Sequence, residues 1–510
     1  MKAPAITFSL ALFFFVLSFS GAKADVKLPA VLSDNMVLQQ DTRARIWGKA
    51  APGEKITVSV SWSRKKQKTV AAADSSWQVE IVTPVASTEP GSLTVKGRNT
   101  IEIKNVLIGE VWLCSGQSNM EFPVDRDTTS RWKNAMTTVK EELQNADYPE
   151  IRFFRVEHQL APDAPADDCS GVWEVCTPAT AARFSAVGFI FGRKIHNEIH
   201  RPVGLIQSTW GGTHAESWTK KEAMQGVYYD NLRAEQKSII ENAPAEKKRY
   251  EREIAAYKTA KAINPDTVLK TPAKAKKLND NLRMSTLWNG MINPILPYTI
   301  KGVIWYQGES NDSRAADYQM VFTNLIRSWR AEWKQGDFPF YFVQIAPYRK
   351  QSPTLREGQL RTWQTVKNTG MAVITDAGDS TNIHPRNKVI PGERLAYWAL
   401  SHDYDIDVPY MGPVYKSMTV RGGVAELSFD YTGSGLDSKG QPLKGFVIAG
   451  DDGVFYPAQA VIRGDKVEVS SPQVSSPVAV RYGWDKFFRV NLYNREGLPA
   501  TPFRTDDWKL

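Results

Sequence analysis

Hydrophobic and polar positions alternate in two different ways along this chain. From Asp25 to about Asn105, runs such as KITVSVSW and SWQVEIV place β-branched and aromatic residues between polar ones, and Pro-Gly turns separate the runs. The same pattern returns from about Asp405, in SMTVRGGVAELSF and AVIRGDKVEVSS. We therefore predict a β-sandwich-like module at each end of the chain, over 25–105 and 405–510.

The central segment, 106–404, carries continuous apolar runs instead. VWLC, IRFFRV, VGLIQS, GVIWYQ, FYFVQI and MAVITD have the length of buried strands, and amphipathic stretches such as AVGFIFGRKIHNEI separate them. Strands that alternate with helices predict a parallel sheet covered on both faces, which is an α/β/α arrangement of layers. Ligands bind beyond the carboxyl ends of the strands in such folds, so the residues directly after each run are the ones to inspect.

Four of these strand ends carry the residue types that acyl transfer requires. Ser118 follows VWLC, a glycine pair beginning at Gly211 follows VGLIQS, Gln307 follows GVIWY, and His384 lies in the loop after MAVIT. A serine nucleophile needs a base and donors for the oxyanion, and glycine lets a backbone N–H approach a ligand. A single serine is more often a turn residue, but the joint pattern favours a serine hydrolase.

The oxyanion donor and the nucleophile turn can be examined further from residue chemistry. Gln307 can donate a hydrogen bond and the carboxylate of Glu309 cannot, so we prefer Gln307 as the side-chain oxyanion donor and expect Glu309 to orient a neighbour. The G-x-S-x-G turn of α/β-hydrolases is excluded, because Asn119 and Met120 follow Ser118.

Four stretches of the sequence resemble the sialate O-acetylesterase family of SGNH-type hydrolases: GEVWLCSGQSNM, PVGLIQSTWGGTHAESW, LWNGMINPILPYTIKGVIWYQGESN and IHPRNKVIPGERLAYWAL. The resemblance runs from about Leu28 to His402 and includes the lead-in LPAVLSDNMVLQQ. It implies a flavodoxin-like three-layer α/β/α catalytic domain with attached β modules. It also implies removal of acetyl groups from sugar hydroxyls without a metal or other cofactor.

The resemblance also implies roles for individual residues. Ser118 of GQSN matches the family's nucleophile, and its own N–H would serve the oxyanion hole. Gly211 of WGGT matches a second backbone donor, and His384 of IHP matches the general base. QGES stands where related hydrolases show G-x-N-D, so the choice of Gln307 rests on hydrogen-bonding chemistry alone.

Two positions depart from the family pattern. The usual last block is D-x-x-H, but Thr381 stands three residues before His384. Asp379 is the nearest acid and Asp376 the next, so one of these aspartates or a backbone carbonyl is left to orient the imidazole. His214 stands where arginine is expected in GGTRAE, which alters substrate contacts or supplies a rival base.

We predict a carbohydrate O-acetylesterase of the sialate type that works through a serine acyl-enzyme. Trp210 and Trp305 are candidates to stack on sugar faces, and Asn119 and Glu309 are further candidate substrate contacts. Arg386 is the closest cation for a sialate carboxylate. No arginine lies inside the short motifs at the strand ends, SGQSN, TWGGTH, QGESN and IHP, so an esterase for a neutral polysaccharide such as xylan or xyloglucan is the alternative. A catalytically inactive glycan-binding protein is a second alternative.

The N-terminus predicts export. MKAPAITFSLALFFFVLSFSGAKAD has a lysine, an apolar core and small residues at Ala22 and Ala24, which is typical of a signal peptide over 1–24. We expect a periplasmic or secreted protein. No later stretch approaches the roughly 20 apolar residues of a membrane-spanning helix, so we expect no membrane span.

The charge and the cysteines narrow the function classes. The net charge is +9, and most of the excess falls between Lys220 and Arg283, where both signs mix along a helical pattern. This pattern favours a solvated, basic helical insertion over 220–285 and no nucleic-acid surface. The insertion could form a helical hairpin over the cleft or a dimer contact, or it could have no role in function. The three cysteines make no disulfide framework, although Cys169 and Cys176 could pair, and no zinc motif is present.

Overall fold

The computed structural model describes residues 25–125, 136–275 and 277–509. The predicted signal peptide lies outside these residues. The amino-terminal module is built from short strands in two layers: β1 Val37–Gln39, β2 Thr42–Lys49, β3 Lys55–Val60, β4 Ser63–Val70, β5 Ser76–Thr83 and β6 Ser87–Lys96. Strands β2 and β5 pair with each other, whereas β4, β3 and β6 form a sheet that continues into the next strand.

That next strand, β7, runs from Thr100 to Gly116 and crosses the boundary that we predicted at residue 105. Its first half pairs antiparallel with β6, and its second half lies in the parallel sheet of the central domain. One hydrophobic core correspondingly extends from Val26 in the amino-terminal module to Val414. The two regions are therefore joined by a shared strand and a shared core, with no linker between them.

The central domain has the predicted order of strands and helices. Its elements after β7 are α1 Ser118–Glu121, α2 Val139–Gln144, β8 Tyr148–Arg155, β9 Trp173–Cys176, α3 Pro178–Arg183, α4 Ala186–Ile199, β10 Val203–Thr209, α5 Val227–Ile263, β11 Gly302–Tyr306, α6 Tyr318–Trp333, β12 Phe340–Gln344, α7 Pro353–Thr365, β13 Thr369–Val373 and α8 Val389–Asp403. Shorter helical turns are Ala215–Trp218, Lys221–Ala223, Asp280–Leu282, Trp288–Ile292, Asn293–Ile295 and Glu309–Asp317.

The central sheet has the strand order β13-β12-β11-β7-β10-β8-β9, parallel from β13 to β8 and antiparallel at β9. Helices α4 and α8 pack together on one face, and α6 and α7 pack on the other, which gives the predicted three layers. The chain leaves β7 toward β8, returns to β10 beside β7, and then crosses to β11 on the other side of β7. This change of direction opens a crevice at the carboxyl end of β7, where doubly wound folds bind ligands.

Among its described residues, the basic insertion contains one long helix and two short helical turns, and these do not form a helical hairpin. Helix α5 has 37 residues, which corresponds to about 55 Å, and includes Pro244. Of its described side chains, Tyr229 and Leu232 are buried. The helical turn Asp280–Leu282 lies back against the helix, where the carbonyl of Leu282 accepts a hydrogen bond from Gln236 Nε2.

The carboxyl-terminal module is a separate antiparallel sandwich with its own hydrophobic core. Its strands are β14 Val414–Arg421, β15 Val424–Asp430, β16 Leu436–Asp437, β17 Phe446–Ala449, β18 Phe455–Pro457, β19 Gln459–Arg463, β20 Lys466–Ser470, β21 Ala479–Tyr482, β22 Tyr493–Asn494 and β23 Phe503–Arg504. One sheet has the order β14-β15-β20-β19 and the other β18-β17-β21-β23. Arg504 ties this module to α7 through Glu357, with Nε 2.9 Å from Oε1.

The cysteines do not pair. Cys114, Cys169 and Cys176 are free and buried, and burial raises the pKa of the Cys169 and Cys176 thiols to about 12. No helix among the described residues combines the length and apolarity needed to cross a membrane. Over the same residues, no three histidine, cysteine or acidic side chains cluster in a way that would hold a metal ion.

Candidate active site

The turn after β7 determines where Ser118 lies. Gly116 has φ +134, and a Cβ at this position would lie 2.2 Å from the carbonyl oxygen of Tyr306 at the end of β11. Only glycine fits such an approach in this conformation. The N–H of Gln117 then donates to the same carbonyl at 3.0 Å, and the chain turns directly into α1. Ser118 is thereby held at the crevice between β10 and β11.

The structure brings Ser118 and His384 together. Nε2 of His384 lies 2.9 Å from Oγ of Ser118, although 266 residues separate them in sequence. Ser118 is 7% exposed and His384 is half-buried. The N–H of His384 donates to Oδ1 of Asn382 at 3.0 Å, which fixes the loop that carries the imidazole. This distance suits proton transfer from the serine to the histidine.

Helix α1 begins at Ser118, so the backbone N–H groups of Ser118 and Asn119 lie in its first turn. Neither donates to an acceptor among the described residues, as expected for the first turn of a helix. Gly211 differs, because its N–H donates to Oε2 of Glu121 at 2.6 Å. The amide that the family resemblance assigns to the oxyanion is therefore occupied by a carboxylate from α1.

Gln307 lies at the end of β11, but its side chain does not reach into the crevice. Its Nε2 donates to the carbonyl of Thr213 at 3.1 Å and to Oδ1 of Asn311 at 2.7 Å, and its Oε1 accepts from the hydroxyl of Tyr318 at 2.9 Å. Both N–H groups are thus used inside the protein, and the residue is fully buried. The structure does not support Gln307 as an oxyanion donor, because it has no donor left.

The two aspartates considered as partners of His384 make other contacts. Oδ1 of Asp379 accepts from the N–H and hydroxyl of Thr381 and from the N–H of Asn382, and these bonds lower the pKa of its exposed carboxyl group. Asp376 forms a two-pronged ion pair with Arg394, at 2.6 and 2.8 Å. Within the described part of the chain, neither aspartate is hydrogen-bonded to the imidazole.

The side chain of Asn119 is fully buried and links three groups beneath Ser118, so this side chain does not line the substrate cleft. Its Oδ1 accepts from Nζ of Lys388 at 2.6 Å, and its Nδ2 donates to Oε1 of Glu309 at 2.5 Å and to the carbonyl of Ile383 at 3.1 Å. Glu309 is buried, and its contact with the Asn119 amide is of the kind expected for a residue that orients a neighbour. We refer to Lys388, Asn119 and Glu309 as the amide cluster.

Burial perturbs both ionisable members of the amide cluster. It lowers the pKa of Lys388 to about 7, and the nearby Glu309 offsets this only in part. Burial raises the pKa of Glu309, against hydrogen bonds from its own backbone and Asn119 and the charge of Lys388. Lys388 lies in the quoted motif IHPRNKV but is not among the residues predicted from the sequence. A lysine just before a predicted helix is usually exposed.

The two tryptophans have different environments. Trp305 is fully buried against Phe322 and Trp329, so it cannot stack on a sugar. Trp210 is half-buried, and its ring stacks on His158 with centroids 3.9 Å apart. His158 in turn lies 3.2 Å from Glu121, the residue that holds the Gly211 amide. Trp210 and His158 therefore form one wall beside the crevice.

A second charged group lies beyond His214. Glu216 is buried and accepts from the hydroxyl of Tyr228 at 2.5 Å and from Nη2 of Arg314 at 3.2 Å. Burial lowers the pKa of the half-buried His214, and the charge of Arg314 lowers it further. Arg314, which follows QGESN by three residues, is likewise not among the residues predicted from the sequence. Arg386 is exposed beside His384, and its carbonyl accepts from the N–H of Thr137.

Comparison with known proteins identifies the family. The sequence model of the family described as "Carbohydrate esterase, sialic acid-specific acetylesterase" matches residues 108–249 and 276–400. The chain belongs to this family. The rat sialate O-acetylesterase is 30% identical over 80% of this chain and 80% of its own length. The mouse sialate O-acetylesterase is 29% identical over 99% of this chain and 98% of its own length.

A solved structure agrees with this assignment. The crystal structure of a carbohydrate acetylesterase from Xanthomonas citri has a TM-score of 0.79 and 35% sequence identity, over 95% of this chain and all of that chain. The predictions of the fold class and of a carbohydrate esterase that acts on acetyl esters are confirmed at the level of the family. Residues 250–275, in the distal part of α5 and the returning segment, fall outside the family match.

Proposed function

We propose that this protein is a carbohydrate O-acetylesterase in which Ser118 is the nucleophile and His384 is the general base. The observation that carries the proposal is the 2.9 Å contact between Ser118 Oγ and His384 Nε2 at the crevice beyond β7. Its position agrees with the site that the doubly wound topology favours. The family to which the chain belongs supports the acetyl ester as the bond that is cleaved.

The reaction follows from this geometry in two halves. His384 takes the proton of Ser118 Oγ as the oxygen attacks the acetyl carbonyl, and the resulting imidazolium gives that proton to the departing sugar oxygen. The acetyl group is then bonded to Ser118. His384 next takes a proton from water, the hydroxide attacks the acyl carbonyl, and acetate leaves as Ser118 recovers the proton.

The oxyanion requires donors that are not already used. The N–H of Ser118 fulfils this condition, and that of Asn119 is a further candidate. The N–H of Gly211 serves the oxyanion only after the carboxylate of Glu121 moves away. Binding of the acetyl group in place of this carboxylate would give the substrate a way to complete its own site.

The two candidate substrate classes differ in charge, because sialic acid carries a carboxylate and the hemicelluloses are neutral. We infer that O-acetylated sialic acid is the substrate class, as in the names of the rodent relatives, and that Arg386, exposed beside His384, is the candidate cation for the substrate's carboxylate. An esterase for a neutral acetylated polysaccharide is the second candidate. It is favoured by the contact of Arg314 with Glu216, which already balances the charge of the guanidinium.

The test measures acetate release from O-acetylated sialic acid, acetylated xylan and acetylated xyloglucan. The variant Ser118→Ala accompanies the wild type, with Ser238→Ala on the exposed surface of α5 as the matched serine control. We expect turnover by the wild type and the control and none by Ser118→Ala, and the faster substrate identifies the sugar class. Equal acetate release by Ser118→Ala would refute the mechanism. Glycan binding without turnover by the wild type would favour the inactive binding protein.

We also infer that the protein is exported, since the first 24 residues have the composition of a signal peptide. The measurement is the N-terminal sequence of the protein recovered from the periplasm or the medium. Cleavage after Ala24 is the expected result, and an intact Met1 on cell-associated protein would contradict it.

A further inference from the structure

Lys388 is unusual among the charged residues around the crevice because it is fully buried without a direct ionic partner. Its exposed fraction is 0%, and no carboxylate of the described residues lies within ion-pair distance of its ammonium. The ammonium donates to Oδ1 of Asn119 and faces the rings of Phe122 and Tyr306, at 4.7 and 5.6 Å from their centroids. Aromatic faces attract a cation, but they do not replace its hydration shell.

The location of Lys388 adds to this cost. It is the residue before the first turn of α8, a 15-residue helix whose amino-terminal end carries a partial positive charge. A buried cation at this end is unfavourable on both counts, and packed apolar residues at such positions are often at least as stable. A residue that costs stability without forming an ion pair is a candidate for a functional role.

The Asn119 amide shows what the ammonium does. An ammonium can only donate, and a carboxylate or a carbonyl can only accept, so the protonated Lys388 matches the oxygen edge of the amide, while Glu309 and Ile383 match its N–H edge. With Oδ1 turned to Lys388, both N–H groups of Nδ2 point toward Glu309 and Ile383. Without Lys388, Oδ1 loses its donor, and the amide is held on its Nδ2 side alone, by Glu309 and Ile383.

These contacts join the two segments that carry the reacting side chains. Asn119 follows Ser118 directly, and Ile383 directly precedes His384. Lys388 belongs to the same loop as His384, so the loop is held twice by one amide, through the Ile383 carbonyl and through the lysine. The contact between Ser118 and His384 closes the ring.

We propose that Lys388 is a positioning residue for the esterase reaction: it orients the Asn119 amide, which in turn holds the His384 loop at the correct distance from Ser118. This inference rests on the proposed function. Misplacement of a reacting group by about 1 Å can lower the rate about 100-fold without changing substrate binding. The amide cluster therefore affects kcat and leaves KM nearly unchanged.

The experiment compares Lys388→Met with Lys301→Met. Lys301 is a partly buried lysine at the opposite end of the sheet, paired with Asp403 at 3.4 Å. We expect Lys388→Met to lower kcat by about 30- to 100-fold, with KM within about twofold and Tm equal to or above the wild type. Lys301→Met should keep kcat and lower Tm. A merely structural role for Lys388 predicts the reverse: a lower Tm and an unchanged kcat per folded molecule.

A double-mutant cycle makes the test independent of one substitution. Asn119→Ala should show the same loss of kcat. The double variant Lys388→Met/Asn119→Ala should be no slower than the slower single variant, because both substitutions remove the same link between Asn119 and the His384 loop. Additive losses, or a wild-type kcat in either folded single variant, would overturn the proposal. If Lys388→Met does not fold, Asn119→Ala and the conservative Asn119→Asp decide the matter, since the aspartate cannot donate to Ile383.

Failure of this inference is distinguishable from failure of the proposed function. Titration of the nucleophile with a fluorophosphonate counts the serine sites in each preparation. If the wild type is active, Ser118→Ala is inactive and Lys388→Met is fully active, only the positioning role is lost. If Ser118→Ala keeps its activity, the proposed function fails first.

Discussion

The two ends of the central sheet each contain a buried acid and a lysine, but they arrange them differently. At the amino end of the strands, Lys301 lies 3.4 Å from Asp403, which also accepts from the hydroxyl of Tyr341 at 2.6 Å. Lys301 and Asp403 line a cavity of about 600 Å³. At the carboxyl end, the amide of Asn119 stands between Lys388 and Glu309.

The difference teaches what each arrangement is suited to do. A direct pair with access to solvent loses little hydration and stabilises the fold modestly. A separated, fully enclosed pair costs more, and its charges are spent on orienting an amide. Only the second arrangement touches the segments that carry Ser118 and His384. We therefore expect the Lys301–Asp403 pair to contribute to stability and the amide cluster to contribute to the geometry of the site.

The largest expected effect comes from removing the base His384 at the carboxyl end of the sheet. Removal of the acid Asp403 at the amino end is the matched control. We predict that His384→Ala lowers kcat by about 10⁴-fold or more, because the serine loses its proton acceptor. Asp403→Ala should leave kcat within about twofold and lower Tm. Steady-state acetate release and thermal unfolding measure both. A large loss of kcat in folded Asp403→Ala would abolish the distinction between the two ends.

Gln307 tests whether a rim position near the crevice can be purely structural. We predict that Gln307→Leu lowers the free energy of unfolding by roughly 2–4 kcal/mol, because Thr213, Asn311 and Tyr318 lose buried partners. Its kcat per folded molecule should remain within about tenfold. Urea unfolding and phosphonate-normalised kinetics are the measurements. A 100- to 1000-fold fall in kcat would restore Gln307 as an oxyanion donor.

Lys388 predicts a pH dependence of stability. Its pKa falls from 10.5 in the unfolded chain to about 7 in the folded protein, so the unfolded chain binds more protons between these values. The free energy of unfolding of the wild type should therefore rise from pH 7 to pH 10 relative to Lys388→Met. Chemical unfolding of both proteins across this range checks the sign. A difference that is flat or falls with pH would mean that the folded protein does not release this proton.

The smallest expected effect is at Asp379. We predict that Asp379→Asn keeps kcat within about twofold, because an asparagine oxygen can still accept from Thr381 and Asn382. An acid that orients the base would behave otherwise, with a loss of about 10⁴-fold. The kcat of purified Asp379→Asn, beside that of Asp376→Asn, separates these outcomes.

The sequence predicts elements better than it predicts contacts. The alternating and continuous apolar runs locate the modules and the central sheet, and the strand-end rule directs attention to Ser118 and His384. The same rule cannot show that the Gln307 donors have acceptors elsewhere, because Thr213 comes from another loop and Asn311 is brought back to Gln307 by the helical turn after β11. Lys388 was missed for a related reason, since its burial depends on Phe122 and Tyr306 closing over it.

Strand β7 has a consequence for how this protein can evolve. It pairs with the lead-in module through residues 100–108 and with the parallel sheet through residues 110–116, over 17 continuous residues that end directly before Gln117 and Ser118. A recombination point within β7 would separate the residues that pair with β6 from those that pair with β10. Genetic exchange that replaced the amino-terminal module would also replace the strand that ends at the nucleophile. The two regions must therefore be inherited together, whereas the carboxyl-terminal sandwich, with a core of its own, is open to replacement.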